Sequence, residues 1–118
     1  MQIGFEVFHR DVDTLVRFYV QALGFTAEPA DDPDGYRVVQ RDGLRIGCCR
    51  DPAATAVQRR PPHGSEIVLR VADLDAEHGR AVASGWPIAD PLQQRPWGQR
   101  DFRMHDPSGQ YLRISSRS

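Results

Sequence analysis

Apolar residues recur along the chain with a period near two in some stretches and near 3.6 in others, and the alternation predicts the elements. Ile3 to Val7 has the short form of a strand. Asp11 then opens a stretch in which Leu15, Phe18, Tyr19, Ala22 and Leu23 return at helical spacing, and Gly24 closes it. Asp11 suits the N-cap because its carboxylate can accept from the orphan amides of the first turn, and Gly24 suits the left-handed position beyond the last. Tyr36 to Gln40 and Leu44 to Cys49 are two further strand-like runs, separated by Arg41-Asp42-Gly43, whose Asp-Gly pair is hairpin chemistry.

The stretch from Asp51 to Gly64 breaks the pattern with Pro52, Pro61 and Pro62 among Ala, Gln and Arg, and reads as an exposed connector. Beyond it the first pattern returns. Glu66 to Val71 is a strand, Asp73 a cap, and Leu74, Ala81 and Val82 give a weaker helical stripe before Gly85-Trp86, which echoes Gly24-Phe25. The two Asp caps lie 62 positions apart and the two Gly-aromatic pairs 61 apart, the near-constant offset of an internal duplication. Phe102 to His105 and Gln110 to Ser115 then flank the turn Asp106-Pro107-Ser108-Gly109. Each half is β-α followed by short strands and cannot bury its helix face alone, so the two must pair. The expectation is one α+β domain over 1–118: module 1 at about 1–50, a connector at 51–64 and module 2 at about 65–118.

Composition narrows the partners. With 118 residues and a formal charge of -1, the chain has the size of one domain, and its interspersed charges form no basic stripe for nucleic acid. The apolar runs are too short for a membrane span and the start lacks the form of a signal peptide, so a cytoplasmic location is expected. Cys48 and Cys49 are adjacent, which suits neither a disulfide nor zinc, and they are read as reduced thiols. All fifteen Lys and Arg residues are arginine, which favours planar contacts with carboxylates and aromatic rings.

Arg10-Asp11-Val12-Asp13, Phe18-Tyr19 and Leu23-Gly24-Phe25, followed by Pro96-Trp97-Gly98, Phe102 and Asp106-Pro107-x-Gly109, together resemble the glyoxalase/bleomycin-resistance (vicinal oxygen chelate) superfamily. Of these, Pro-Trp-Gly followed by Phe and Asp-Pro-x-Gly is the sharper signature, and it is similar to that of the antibiotic-binding, bleomycin-resistance branch. The resemblance implies two βαβββ modules whose sheets curl round a concave pocket, and a homodimer with two crevices. It also implies where metal-dependent relatives carry their ligands: seven residues before each Asp cap, which here are Gly4 and Glu66, within Leu44 to Cys49, and seven residues after the Asp of the last turn, which here is Arg113. A guanidinium repels a divalent cation and cannot shed its proton to bind one. Neither metal nor other cofactor is therefore expected.

The candidate ligand-binding residues follow from the resemblance and from strand alternation. Trp97, between Pro96 and Gly98, matches a Trp that contacts the drug in the resistance branch, and its flat indole loses little entropy on stacking. Tyr36 matches a stacking aromatic of that branch, Cys49 a small polar residue of its pocket wall, and Phe102 belongs to the motif itself. Alternation places Glu6 and Phe8 opposite Phe5 and Val7, and Glu66, Val68 and Arg70 opposite Ile67, Leu69 and Val71. Tyr111 and Arg113 join from the last strand. Glu6, Glu66, Arg70 and Arg113 are expected to form an ion-paired floor.

The function these residues point to is binding without chemistry: a protein that sequesters an aromatic, glycopeptide or peptide antibiotic, with no catalytic residue. By resemblance the drug classes include bleomycin-like glycopeptides, mitomycins and quinoxaline-type peptides. The alternative is a superfamily enzyme, a lyase, isomerase or thiol transferase, with unorthodox metal ligands or with Glu6 or Glu66 as general base.

Overall fold

A computed structural model describes residues 1–117. The elements are β1 (Phe5–His9), α1 (Val12–Leu23), β2 (Thr26–Ala27), β3 (Tyr36–Arg41), β4 (Leu44–Arg50), β5 (Glu66–Val71), α2 (Leu74–Ser84), β6 (Asp90–Gln94), β7 (Arg100–His105) and β8 (Tyr111–Ser116). They form two four-stranded sheets of the same design, β1-β4-β3-β2 and β5-β8-β7-β6, each with one parallel pair, β1 with β4 and β5 with β8. The duplication expected from the offsets is thus an architectural one. It extends to the caps: Asp11 accepts from the amide of Asp13 and Asp73 from that of Ala76, while Gly24 (φ 69°) and Gly85 (φ 81°) both take the left-handed conformation that closes a helix.

Each helix covers one face of its own module's sheet, and the helices pack on each other, so the core is one cluster running through both modules. Module 1 contributes Leu15, Phe18, Tyr19 and Leu23 from α1 with Val39, Ile46 and Cys48 from the sheet. Module 2 contributes Leu74 and Ala81 from α2 with Phe102, Met104, Leu112 and Ile114. Phe18 meets Tyr19 and Trp86 edge-to-face, with centroids 5.1 and 5.4 Å apart, and Phe25 meets Tyr19 in the same way, so Trp86, which follows α2, packs on α1 of the other module.

Three features depart from the pattern read in the sequence. Val82 is exposed, and the buried stripe of α2 is Leu74, Glu77 and Ala81 instead. Glu77 can lie inside because the guanidinium of Arg41 grips both its carboxylate oxygens and Arg80 donates to one of them at 2.6 Å. The strands β2 and β6 also go unmarked: β2 has only two residues, and Pro91 argues against a strand except at a sheet edge, where β6 lies.

The connector has no strand or helix of its own between β4 and β5. It is held by backbone contacts to both modules, Arg10 Nε to the Ala54 carbonyl and the Arg59 amide to the Gly109 carbonyl. A Cβ at Gly109 would stand 2.2 Å from the Val57 carbonyl oxygen, and its φ is 96°, so only glycine allows the connector to lie this close to the last turn.

Candidate functional site

The faces that turn away from the helices carry the candidate residues. In module 1, register aligns Glu6 with Gly47 and Val38 in one row and Phe8 with Cys49 and Tyr36 in the next. Because Gly47 has no side chain, the Tyr36 ring leans over β4. Its hydroxyl and a Glu6 carboxylate oxygen would each lie 2.6 Å from a Cβ at that position. The Cys49 thiol donates to Glu6 Oε2 at 2.9 Å. Burial, and then the hydrogen bond to Glu6, push that thiol up to about 12, while burial and the Glu6 charge raise the Tyr36 phenol. Both remain proton donors at neutral pH, and Cys49 is not a thiolate nucleophile. Phe8 and Tyr36 are half-exposed, at 51% and 45%. Cys48 points the other way, into the core, and both cysteines are free.

In module 2 the corresponding face is a lattice of ion pairs. Asp101 is fully buried beneath Arg95 and Arg103, whose Nε atoms donate to it at 2.8 and 3.3 Å, and Arg95 continues to Asp90 at 3.0 Å. Arg103 donates to the Tyr111 hydroxyl at 3.1 Å. Arg113 Nε lies 2.5 Å from Glu66 Oε1, an ion pair without hydrogen-bond alignment. Val68 sits half-buried on the same strand, and Arg70 is exposed with no ion pair among the described residues. The expected four-residue floor is therefore divided: Glu66 and Arg113 pair, Arg70 stands free, and Glu6 belongs to the other module's face.

Phe102 is a correction to the expected site. It is fully buried in the core with its ring 5.0 Å from His78 of α2, because Phe102 and Met104 are the residues of β7 that alternate toward the helix. The same alternation sends Asp101 and Arg103 to the outer face. Neither is among the candidates of the sequence, although the period of β7 contains the signal.

Trp97 crowns the β6–β7 hairpin, where the Gly98 amide donates to the Arg95 carbonyl and Arg95 to that of Gln99, and it is 57% exposed. A groove of about 480 Å³ joins the modules, lined by Glu6, Phe8, Asp51, Arg59, Gln110 and Tyr111 among others. Trp97 and Tyr36 do not line it. One chain thus presents two outward sheet faces without closing a single pocket around Trp97 and Tyr36.

The donor set does not fit the superfamily's metal. Of the positions that ligate in metal-dependent relatives, Gly4 has no donor, Glu66 is engaged by Arg113, and the β4 stretch offers only thiols, which suit softer metals. Among the described residues no three His, Cys, Asp or Glu side chains come together. No helix is long and apolar enough to cross a membrane.

Comparison with known proteins supplies the family. The model of the Glyoxalase/Bleomycin resistance protein/Dioxygenase superfamily matches residues 4–114. Among solved structures, TioX from Micromonospora sp. ML1 is similar with a TM-score of 0.76 at 24% identity, covering 98% of each chain. A protein of unknown function from Agrobacterium tumefaciens str. C58 has the same score and identity, covering 100% of this chain and 95% of its own. A bleomycin resistance determinant encoded on the transposon Tn5 has a TM-score of 0.74 at 22% identity, covering 100% and 98%. These identities speak for the fold alone. Comparison with curated protein sequences finds no match.

Proposed function

The chain belongs to the glyoxalase/bleomycin resistance protein/dioxygenase superfamily, and from that premise we propose that it is a metal-independent binding protein that sequesters a flat aromatic or peptide antibiotic unaltered. The observation that carries this reading is the exposure of three large aromatic rings, Phe8, Tyr36 and Trp97, away from the core. Two of them, Phe8 and Tyr36, stand in one row of the same sheet, and exposed rings grouped in this way offer a surface on which a flat ligand can stack. The resistance determinant among the structural neighbours, bleomycin in its case, supports a binding role. The engagement of Glu66 by Arg113 argues against the superfamily's metal-centred chemistry in this chain.

The site residues of this reading are Trp97 and Tyr36 as stacking surfaces, Phe8 beside Tyr36, Cys49 and Glu6 as polar contacts, and Val68, Arg70, Tyr111, Arg113 and Glu66 on the opposite wall. Because one chain leaves its two faces apart, the functional unit is a homodimer in which each crevice takes one face from each copy. The test is a fluorescence titration of metal-stripped protein with a panel of aromatic and peptide antibiotics, repeated on Trp97→Phe to separate the Trp86 signal. Saturable quenching near one ligand per protomer, lost in the variant, with the drug recovered intact, supports sequestration. Recovery of a modified drug would make the chain an enzyme, and no binding by any member of the panel at micromolar concentration would end the proposal.

A further inference from the structure

The two faces of the chain differ in one respect that bears on the ligand. On module 2 the acids Glu66, Asp90 and Asp101 are each held by an arginine. On module 1 Glu28 is held by Arg45 through two bonds of 2.9 Å. Among the acids that lie within the strands Glu6 is the exception: in a chain with fifteen arginines, no cation among the described residues lies within ion-pair distance of it. Its neighbours on the sheet are a thiol and a phenol, which donate protons but bring no positive charge. Of the groups that line the adjoining groove, Arg59 is a cation but makes no ion pair with Glu6, and Asp51 adds a further acid.

Aromatic rings flank this carboxylate. Glu6 and Phe8 point to the same side of β1 two positions apart, about 7 Å along the strand, and Tyr36 reaches toward Glu6 from two strands away across the bare backbone of Gly47. Phe8 and Tyr36 rise from either side of Cys49 in one row, and both rings are about half-exposed beside Glu6. A ring face is the negative end of a quadrupole, so two half-exposed rings beside an unneutralised carboxylate attract one kind of group.

We infer that the module 1 face holds the cationic end of the ligand, a protonated alkyl or benzylic amine lying against the exposed Phe8 and Tyr36 rings with Glu6 as its counter-charge. This rests on the binding role proposed above and assigns the ligand's charge. The flat part of the ligand extends toward the surface that Trp97 serves, and the ammonium lies against β1 and β4. Specificity follows from charge: the same aromatic body without the amine loses the contact with Glu6, and an anionic analogue meets repulsion there.

The test uses three probes with one ring system: 2-naphthylmethylamine, protonated at pH 7, neutral 2-naphthalenemethanol and anionic 2-naphthoate. Binding is read by ligand-observed NMR and by fluorescence, with the full chain and with Glu6→Gln. The expected order is ammonium, then alcohol, then carboxylate, with the ammonium about tenfold tighter than the alcohol and that advantage lost in Glu6→Gln, to which the two probes bind equally. Glu6 is exposed, so the variant retains the fold, which far-UV circular dichroism verifies. Equal binding of ammonium and alcohol, a preference for naphthoate, or an ammonium preference that survives in Glu6→Gln overturns the amine assignment and leaves the aromatic-binding role standing. Failure of all three probes, together with failure of the antibiotic panel, overturns both.

Discussion

The phenol of Tyr19 donates to the carboxylate of Asp106 at 2.5 Å, a buried bond that joins the first helix to the last turn across 87 positions of sequence. Asp106 also accepts from the amide and hydroxyl of Ser108 and from the amide of Gln110. One carboxylate therefore shapes the Asp-Pro-x-Gly turn and anchors it to the other module. Arg41 does comparable work at the opposite end, reaching from β3 to the Leu23 carbonyl and to Glu77 of α2. These two polar ties join the modules at opposite ends of the helix–helix contact.

Replacing Tyr19 with Phe removes one donor and leaves the Asp106 oxygen buried without it. The ring still fills its place among Phe18 and Phe25, so the packing loss is small. The expected cost is about 1 to 3 kcal/mol, measured as a lower urea midpoint at unchanged slope. Because the tie spans both modules, fluorescence from Trp86 and far-UV circular dichroism should shift together. Separate transitions for the two signals would show that the modules unfold independently.

Acid should unfold the protein through its buried carboxylates. Burial alone would raise the Glu77 carboxyl, but the bonds and charges of Arg41 and Arg80 outweigh it and hold the group below its ordinary 4.5. Asp101 follows the same logic: burial raises it, and Arg95 and Arg103 more than offset that, so it lies below 3.8. A carboxyl that binds its proton more weakly when folded stabilises the fold above its unfolded value and loses that contribution as the pH falls through the folded one. Thermal stability should thus be level at neutral pH and decline below about 4.5, through and beyond 3.8. In Glu77→Gln the acid decline should be shallower, from a neutral-pH midpoint already lowered because Arg41 and Arg80 have lost their anion. An acid limb unchanged in that variant would assign the dependence elsewhere.

Two aromatic residues of the Pro-Trp-Gly and Phe motif should part company in stability measurements. Phe102 is fully buried against His78, so Phe102→Ala should cost about 3 to 5 kcal/mol. Trp97 stands in solvent at a hairpin tip, and Trp97→Ala should change stability by less than about 0.5 kcal/mol. Chemical denaturation of both variants decides the matter. A large loss in Trp97→Ala would make the indole a structural lid and remove the chief stacking surface of the proposed site.

The legible parts of this chain were those in which local chemistry and tertiary role coincide. Asp11 and Asp73 as caps, Gly24 and Gly85 as terminators, and the alternation of β1 and β5 depend on neighbours within a few residues, and the structure has them, although β1 lies at Phe5–His9, two residues beyond the Ile3 to Val7 run. What escaped depends on partners far away. Glu77 looks like a solvated helix position until Arg41 arrives from a strand 36 positions earlier, and Asp101 looks exposed until two arginines close over it. Phe102 belongs to the family motif, yet the alternation of its own strand turns it into the core.

Gly47 is the position at which the shape of the site can be tested with one atom. It lies beneath both Glu6 and Tyr36, and a Cβ there would come within 2.6 Å of the Glu6 oxygen and the Tyr36 hydroxyl and 3.1 Å of the Tyr36 ring. The backbone at this residue is not in the left-handed region, so Gly47→Ala introduces no strain of its own. The groups it meets are the far ends of two side chains that can swing outward. The fold should therefore hold, with a change in stability of less than about 1 kcal/mol. The phenol must lift away from the sheet, and the thiol–carboxylate contact between Cys49 and Glu6 must shift with it. Affinity for an aromatic ligand bound on this face should fall by about an order of magnitude, read by the same fluorescence titration, while Gly43→Ala, at an exposed hairpin turn where φ is 83°, should lower stability without altering affinity. Full affinity in Gly47→Ala would place the ligand away from Tyr36 and Glu6 and leave Trp97 and the module 2 face as its remaining contacts.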